Sequence, residues 1–307
     1  MSQRIVILGV FVADTAYRAD RLPRMGETLL GHSFALGPGG KGSNQAVAAA
    51  RLGAEVALIT RLGQDAFAEM ALATWTAAGV TPVVRHMADS YTGAALIFIE
   101  EGSGDNAIII APGAAGHIDP GDLEAEAPLI AGSRVFLTQL EQPLAAAVRG
   151  MEIARGAGVT TILNPAPGRD LPDSVLGLAD LVTPNETETE ILTGIAVTSL
   201  EAARAAAERL IARGAGGAVI TLGAQGALLH AGGLSEVVPA VTAGPVVETT
   251  GAGDAFNAGL ATGIARGLDL PAAVRLGCAV AGISVTRAGT SNSMPTAAEV
   301  EALLARG

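Results

Sequence analysis

At 307 residues the chain is long enough for one large domain or two modest ones with a substantial core. Half of it is hydrophobic but only 3% is aromatic, so alanine and glycine carry the apolar count; mean hydropathy is +0.44, yet no unbroken apolar run reaches the roughly 18–20 residues of a spanning helix, and no membrane role is expected. A formal net charge of −11 sets the surface against phosphate backbones, so no nucleic-acid partner is expected, and the single cysteine, Cys278, excludes an internal disulfide and fits a reducing cytoplasm.

The first apolar run, "IVILGVFVA" (residues 5–13), is preceded by one arginine and ended by Asp14, with no small-x-small cleavage site. It reads as a buried first strand rather than a secretory signal. Residues 15–36 carry little helical periodicity. Next comes "GPGGKGSNQAVAAARLG" (residues 37–53). It satisfies a bare G-x-G-x-x-G, but a dinucleotide turn belongs directly after the first strand, and this one comes well past it. It is not a Walker A loop either, because Gly42 follows Gly40 and Lys41 and Ala35 stands where the first glycine belongs. What remains is a glycine turn opening a helix, with Gly39, Gly40, Lys41 and Asn44 near its start. Such a turn lets the backbone approach a polar ligand, and an asparagine can both donate to and accept from hydroxyls.

"EVALITRLG" then reads as a strand and "DAFAEMALATWTAAG" as a helix ended by glycine. Residues 82–110 again lack helical pattern, and "YTGAALIFIEEGSGDNAIIIAPG" looks like two strands around a turn at 102–105. Segments 15–36 and 82–110 are expected to form a small β-sheet projecting from the main domain as a lid. "SRVFLTQL" is a strand, and Glu141 in "TQLEQP" follows it, either as a plain strand-end acid or as a ligand contact. "PLAAAVRGMEIARGAG" and "LEAARAAAERLIARGAG" read as helices, and "VTTILNPA", "DLVTPNE" and "GAVITLG" as strands. In "TPNETETE" Asn185 and Glu188 are three apart and share a face if a helix begins there. That pair is either a solvated acidic helix start or a holder of hydrated magnesium. His32, His86, His117 and His230 are scattered without metal-ligand spacing.

Last comes "ETTGAGDAFNAG" (residues 248–259), an extended piece, a glycine turn and a helix start. Free N–H groups at a helix N-terminus attract anions. Asp254 is either a capping acid or a working carboxylate, and Ala255, Ala258, Gly259, Ala261 and Gly263 behind it would let the helix lie close to the sheet. Cys278, in "RLGCAVAGISV", reads as a packed core residue. The alternation of strands and helices predicts a single α/β domain, a doubly wound and mostly parallel sheet with helices on both faces, carrying the small lid.

"GGKGSNQAVAAARLG" and "TTGAGDAFNAG" together resemble the paired signatures of the ribokinase (PfkB) family of carbohydrate kinases. "PRMGETLLG", "TGAALIF", "NPAPGRDLPD", "TPNETETEILTG", "ITLGAQGALL" and "SVTRAG" follow in the same order, so the resemblance covers nearly the whole chain. It implies a Rossmann-like domain with a β-sheet lid that pairs two copies into a homodimer, and the use of ATP, Mg2+ and a monovalent cation such as K+. The implied reaction moves the γ-phosphate to the primary hydroxyl of a furanose, D-ribose first among the candidates. Alternatives are a 2-deoxyribose, fructose or nucleoside kinase, or a non-catalytic sugar sensor that would lack the acid and glycines kept here.

By position, the resemblance implies Asp254 as catalytic base and Gly251, Ala252 and Gly253 as the anion hole. Asp14, Gly39, Gly40, Lys41, Asn44 and Glu141 would hold the sugar. Asn185 and Glu188 would organise magnesium and phosphates, while Thr221, Gly223, Gly226 and the helix around Cys278 would flank the nucleotide. Backbone oxygens near Glu248, Thr250, Ser284, Arg287, Gly289 and Ser293 would take the monovalent cation. Two positions depart from the family pattern. Val12 stands where an asparagine is usual, so a sugar hydroxyl facing it would lose a partner. Glu248 stands where an aspartate is usual.

Overall fold

Ile5, Val6, Ile7 and Leu8 are all fully buried because β1 (Ile5–Leu8) runs through the middle of a sheet covered on both faces. The computed structural model describes residues 3–306. After β1 come β2 (Val12–Ala19), β3 (Ser33–Gly39), α1 (Lys41–Arg51), β4 (Val56–Leu62), α2 (Ala66–Ala78), β5 (Thr81–His86), β6 (Thr92–Glu100) and β7 (Asn106–Gly113). The chain continues through α3 (Pro120–Ala125), α4 (Ala127–Ala131), β8 (Val135–Thr138), α5 (Leu144–Gly156), β9 (Thr160–Leu163), α6 (Asp173–Leu176), β10 (Leu181–Val182), α7 (Glu186–Thr193) and α8 (Leu200–Ala212). It closes with β11 (Gly217–Thr221), β12 (Ala227–Ala231), β13 (Leu234–Val238), α9 (Ala252–Ala265), α10 (Leu270–Ser284) and α11 (Ala297–Leu304).

Nine strands form the large sheet in the order β13-β12-β11-β10-β9-β8-β1-β4-β5, parallel except for the antiparallel edge made by β12 and β13. The strand order reverses at β1, which lies between β4 and β8. Alternate residues of β1 feed two cores. Ile5 and Ile7 pack with α1, α2, α9 and α10, whereas Val6 and Leu8 pack with the side that carries α5 and α8. Among the described residues no helix is long and apolar enough to cross a membrane.

The small sheet has the order β3-β2-β6-β7, with β2 and β6 parallel and the outer pairs antiparallel. Two boundaries differ from the sequence expectation. The first strand stops at Leu8 and does not run to residue 13, because a Cβ on Gly9 would lie 2.6 Å from the Cα of Gly42: the chain leaves the sheet where α1 crosses it. Val12 and Asp14 therefore begin the small sheet and do not end strand one. At the other end, β5 pairs in parallel with β4 at the edge of the large sheet, so of the expected lid segment 82–110 residues 82–86 belong to the main sheet. The turn of the second hairpin sits between Glu100 and Asn106, with Gly104 at φ 77°.

Candidate active site

The helix start of α9 is built by Gly251, whose φ of 82° only glycine adopts freely. Gly251 is the N-cap and no side chain caps the helix. Among the described residues, the N–H groups of Gly251, Gly253 and Asp254 have no acceptor, whereas Ala252 N–H donates to Thr249 O at 3.1 Å. Of the three expected anion-hole residues, Ala252 alone has its N–H engaged inside the turn. The piece before the turn, residues 246–250, is irregular rather than a strand.

Asp254 does not cap its helix. Its side chain is buried, with Oδ2 accepting from Asn44 Nδ2 at 3.0 Å and Oδ1 from Gln45 Nε2 at 3.0 Å. Both donors lie on α1, so the two glycine-headed helices meet at one carboxylate. Burial pushes Asp254 above the ordinary carboxylate range, while Lys41, Asn44 and Gln45 pull it back. The small residues of α9 serve a contact the sequence did not suggest. A Cβ on Gly259 would come within 2.7 Å of Gly277 Cα and one on Gly263 within 2.7 Å of Ala273 Cα, so the stripe faces α10 and not only the sheet.

The glycine turn before α1 gathers the remaining acids. Gly40 has φ 89°, and a Cβ there would be 2.5 Å from Val10 O. Lys41 N–H donates to Glu141 Oε2 at 2.8 Å, which joins the start of α1 to the loop after β8. The Asp14 carboxylate lies over Gly39, where an added Cβ would be only 2.2 Å from its Oδ2. Burial, and then the charge of Asp254, raise Asp14 to about 6. Burial raises Glu141 to about 7, against the pull of Lys41. Burial alone would lower the Lys41 ammonium, but Asp254, Glu141 and Glu188 outweigh it and the net shift is upward. Val12 is buried beside Gly93, on the face of β2 that carries Asp14.

A cleft of about 150 Å³ joins Lys41, Asn185, Glu188, Thr221, Gly253 and Asp254. Asn185 and Glu188 form a capping box on α7: Glu188 N–H donates to Asn185 Oδ1 at 2.8 Å, and Asn185 N–H to Glu188 Oε2 at 2.9 Å. The box uses the single side-chain oxygen of Asn185 and one of the two of Glu188, and burial raises Glu188. Gly223 turns the chain after β11, at φ 52°. Gly226 has a packing reason of its own, since a Cβ there would be 2.1 Å from Val238 O. Cys278 is not brought to the cleft: it is buried in the core near Val238 O, and burial pushes its thiol up to about 11.

The loop around Gly289 is closed by Glu248, whose Oε2 accepts Gly289 N–H at 2.8 Å. The Ser284 and Ser293 hydroxyls donate to Ala281 O and Thr290 O, and Arg287 pairs with Glu299. These side chains are committed locally, so a cation there would depend on main-chain oxygens and the second oxygen of Glu248. Among the described residues no group of three or more His, Cys, Asp or Glu side chains forms a metal cage. A larger, mostly apolar cavity of about 270 Å³, lined by Leu52, Leu268 and Val300 among others, lies at the far end of α9 and holds none of the expected residues.

Sequence reasoning missed the amides behind Asp254. Gln45 follows Asn44 directly, Gln139 stands in the quoted "TQLEQP", and Asn164 in "VTTILNPA". Buried amides within motifs otherwise made of small or apolar residues were the available signal.

A model of the pfkB family of carbohydrate kinases matches residues 2–297. The chain is 38% identical over 300 residues to a ribokinase of Haemophilus influenzae, covering 97% of both chains, and 35% identical over 294 residues to a deoxyribokinase of Salmonella typhi, covering 95% of both. Its fold is similar to that of Arabidopsis thaliana ribokinase solved with ribose and ATP, with a TM-score of 0.92, 30% identity and 99% of each chain covered.

Proposed function

The chain belongs to the pfkB family of carbohydrate kinases, and from that premise we propose that it transfers the γ-phosphoryl group of ATP to the primary hydroxyl of a furanose, with D-ribose going to D-ribose 5-phosphate as the leading reaction. The observation that carries this reading is the juxtaposition at the head of α9: a buried carboxylate held by two amides, next to backbone N–H groups that have no acceptor. Asp254 accepts the proton of the attacking hydroxyl. Gly251, Gly253 and the N–H of Asp254 itself receive the charge of the moving group. In a loose phosphoryl-transfer transition state little proton removal is needed early, so alignment and charge neutralisation dominate.

Asp14, Gly39, Gly40, Lys41, Asn44 and Glu141 hold the sugar. Thr221 and Gly223 border the nucleotide. The oxygen of Glu188 outside the capping box, together with Asn185, suits Mg2+ held through water and phosphate, and the ion when bound supplies charge neutralisation on the phosphates. The Gly289 loop, with Thr250 and Glu248 beside it, suits a monovalent cation such as K+ on main-chain oxygens. A lone buried thiol and the use of ATP fit the cytoplasm. The exposed apolar face of the small sheet fits a second copy of the chain, so the working form is a homodimer joined through its lids.

One observation favours a second reading of the sugar. Val12 offers no hydrogen bond on the face that carries Asp14, and a hydroxyl buried against it would forfeit about 1–3 kcal/mol. A 2-deoxy pentose avoids that loss. The kcat/KM values for ribose, 2-deoxyribose and fructose decide between them, and a large advantage for ribose removes the argument from Val12. The chemistry is tested by Asp254→Asn, which should lower kcat by ~10²–10⁴-fold with ATP affinity little changed. Near-normal turnover would remove Asp254 from the reaction.

A further inference from the structure

The buried amides behind Asp254 form a chain whose orientation can be deduced from its fixed end. That end is the main-chain oxygen of Thr183, which can only accept, and Asn164 Nδ2 donates to it at 3.2 Å. Asn164 must then turn Oδ1 towards Gln45. Gln45 Nε2 donates to that oxygen at 3.1 Å and to Asp254 Oδ1 at 3.0 Å. Gln45 Oε1 in turn accepts from Gln139 Nε2. Flipping the Gln45 amide would set its oxygen against two acceptors and its nitrogen against a donor. The second oxygen of Asp254 accepts from Asn44 Nδ2, and Ser291 Oγ donates to Asn44 Oδ1 at 2.6 Å.

Asn44 and Gln45 differ in one respect. Asn44 keeps a trace of exposed surface, 3%, and the proposed reaction gives it the sugar. Gln45 and Gln139 have no exposed surface at all, so neither can touch a ligand. Two buried glutamines devoted to one carboxylate are costly unless that carboxylate must be held.

We propose that Gln45 is a positioning residue for phosphoryl transfer: its amide, locked by Asn164 and Gln139, aims the Asp254 carboxylate at the acceptor hydroxyl and stabilises its negative charge. The inference rests on Asp254 being the base. The charged groups that face Asp254 are Lys41 at the head of α1, Asp14 on β2, Glu141 after β8 and Glu188 on α7. Three of these four are acids, so with burial they oppose ionisation. Lys41 and the amides of Asn44 and Gln45 favour it. Removing the Gln45 donor leaves the balance more adverse and moves the ionisation of Asp254 to higher pH.

The test is kcat as a function of pH, at saturating ATP and sugar, for Gln45→Met, Gln139→Met and the double variant. Methionine keeps the length of glutamine and removes its hydrogen bonds. Gln45→Met should lower kcat at neutral pH by about tenfold or more and shift the acid limb up by about half a pH unit or more, with both KM values within about threefold. Gln139→Met should shift the limb in the same direction by less, and add nothing when Gln45 is already Met. A folded Gln45→Met with an unmoved acid limb overturns the proposal, since a merely structural role would lower Tm without moving that limb. If Gln45→Met does not fold, Gln139→Met decides in the same way, because Gln139 does not touch Asp254. Asp254→Asn in the same assay separates the two claims. Retained turnover there defeats the base assignment, whereas lost turnover beside an unmoved limb in Gln45→Met defeats only the role of Gln45.

Discussion

Gly253 separates what the fold needs from what the reaction needs. A Cβ built on it meets nothing within 4 Å, and its φ lies outside the left-handed region, so the fold itself tolerates a side chain there. Gly253→Ala should leave thermal stability unchanged or raise it, by up to about 1 kcal/mol through the unfolded chain, while lowering kcat by crowding the phosphoryl group. A Tm scan beside a kinase assay checks both halves, and unchanged kcat would remove the anion site from this turn. Glu141 makes a prediction in pH. Its folded-state value is raised to about 7 from an ordinary 4.5, so between those limits the folded state keeps a proton that the unfolded state has lost. Stability from this group is therefore full below pH 4.5 and lost as pH rises through 7, and Asp14, raised to about 6, acts in the same sense. In the substrate-free protein, Glu141→Gln should flatten the fall in Tm between pH 5 and 8 and gain on the order of 1–2 kcal/mol at the alkaline end. An unaltered slope would show that the carboxyl is already ionised at low pH. These acids were legible as single residues at strand ends and turns. Their mutual burial was not, because nothing local in "VAD", "GGKG" or "TQLEQP" shows that the three segments converge.

At the scale of elements, the meeting of α1 with α9 makes the site, and a third helix fixes where α9 lies. Gly259 faces Gly277 so closely that an added Cβ would be 2.7 Å from its Cα and 3.0 Å from Leu276 O. Backbone cannot yield there as a side-chain tip could. Gly259→Ala should therefore cost about 1–3 kcal/mol in urea unfolding, and kcat should fall with it, because α9 carries Asp254 at its other end. A variant as stable as the parent would mean that the two helices are not held this tightly. The helices themselves were readable from glycine stops and alanine-rich periodicity, but which neighbour their small faces touch was not. A stripe of Ala and Gly says only that something comes close, and the sheet was the simplest candidate. The end of the first strand was hidden for a related reason. "IVILGVFVA" is apolar throughout, so hydropathy runs past Gly9, where the approach of Gly42 makes the chain leave the sheet.

At the scale of the molecule, the reversal of strand order around β1 opens a crevice beyond the carboxyl ends of β1, β8, β9, β10 and β11; Glu141, Asn185 and Thr221 come from the ends of β8, β10 and β11, while Asp14 lies in β2 and Lys41 and Asp254 come from the heads of α1 and α9. The small sheet extends from the same end and has two unlike faces. One carries Asp14. The other carries Tyr17, Phe34, Leu36, Leu96 and Ile109, which cross-strand register places on one side and which are between 43% and 70% exposed. Tyr17 and Phe34 already touch, with ring centroids 5.1 Å apart. A contiguous apolar face spanning all four strands is more than a monomer ordinarily shows to water, and with Glu100 set at its outer end, away from its centre, it is suited to a two-fold mate of the same kind. The parent chain, 30.5 kDa, should therefore sediment at twice that mass at micromolar concentration. Leu96→Asp puts a carboxylate in the middle of the face, with no counter-charge across a two-fold axis, and should return the protein to the monomer mass. Activity should fall less than mass, because Leu96 points away from Asp14, and any loss should appear mainly in KM for the sugar as the lid loses its support. A parent protein that sediments as a monomer would leave the exposed face without its proposed partner.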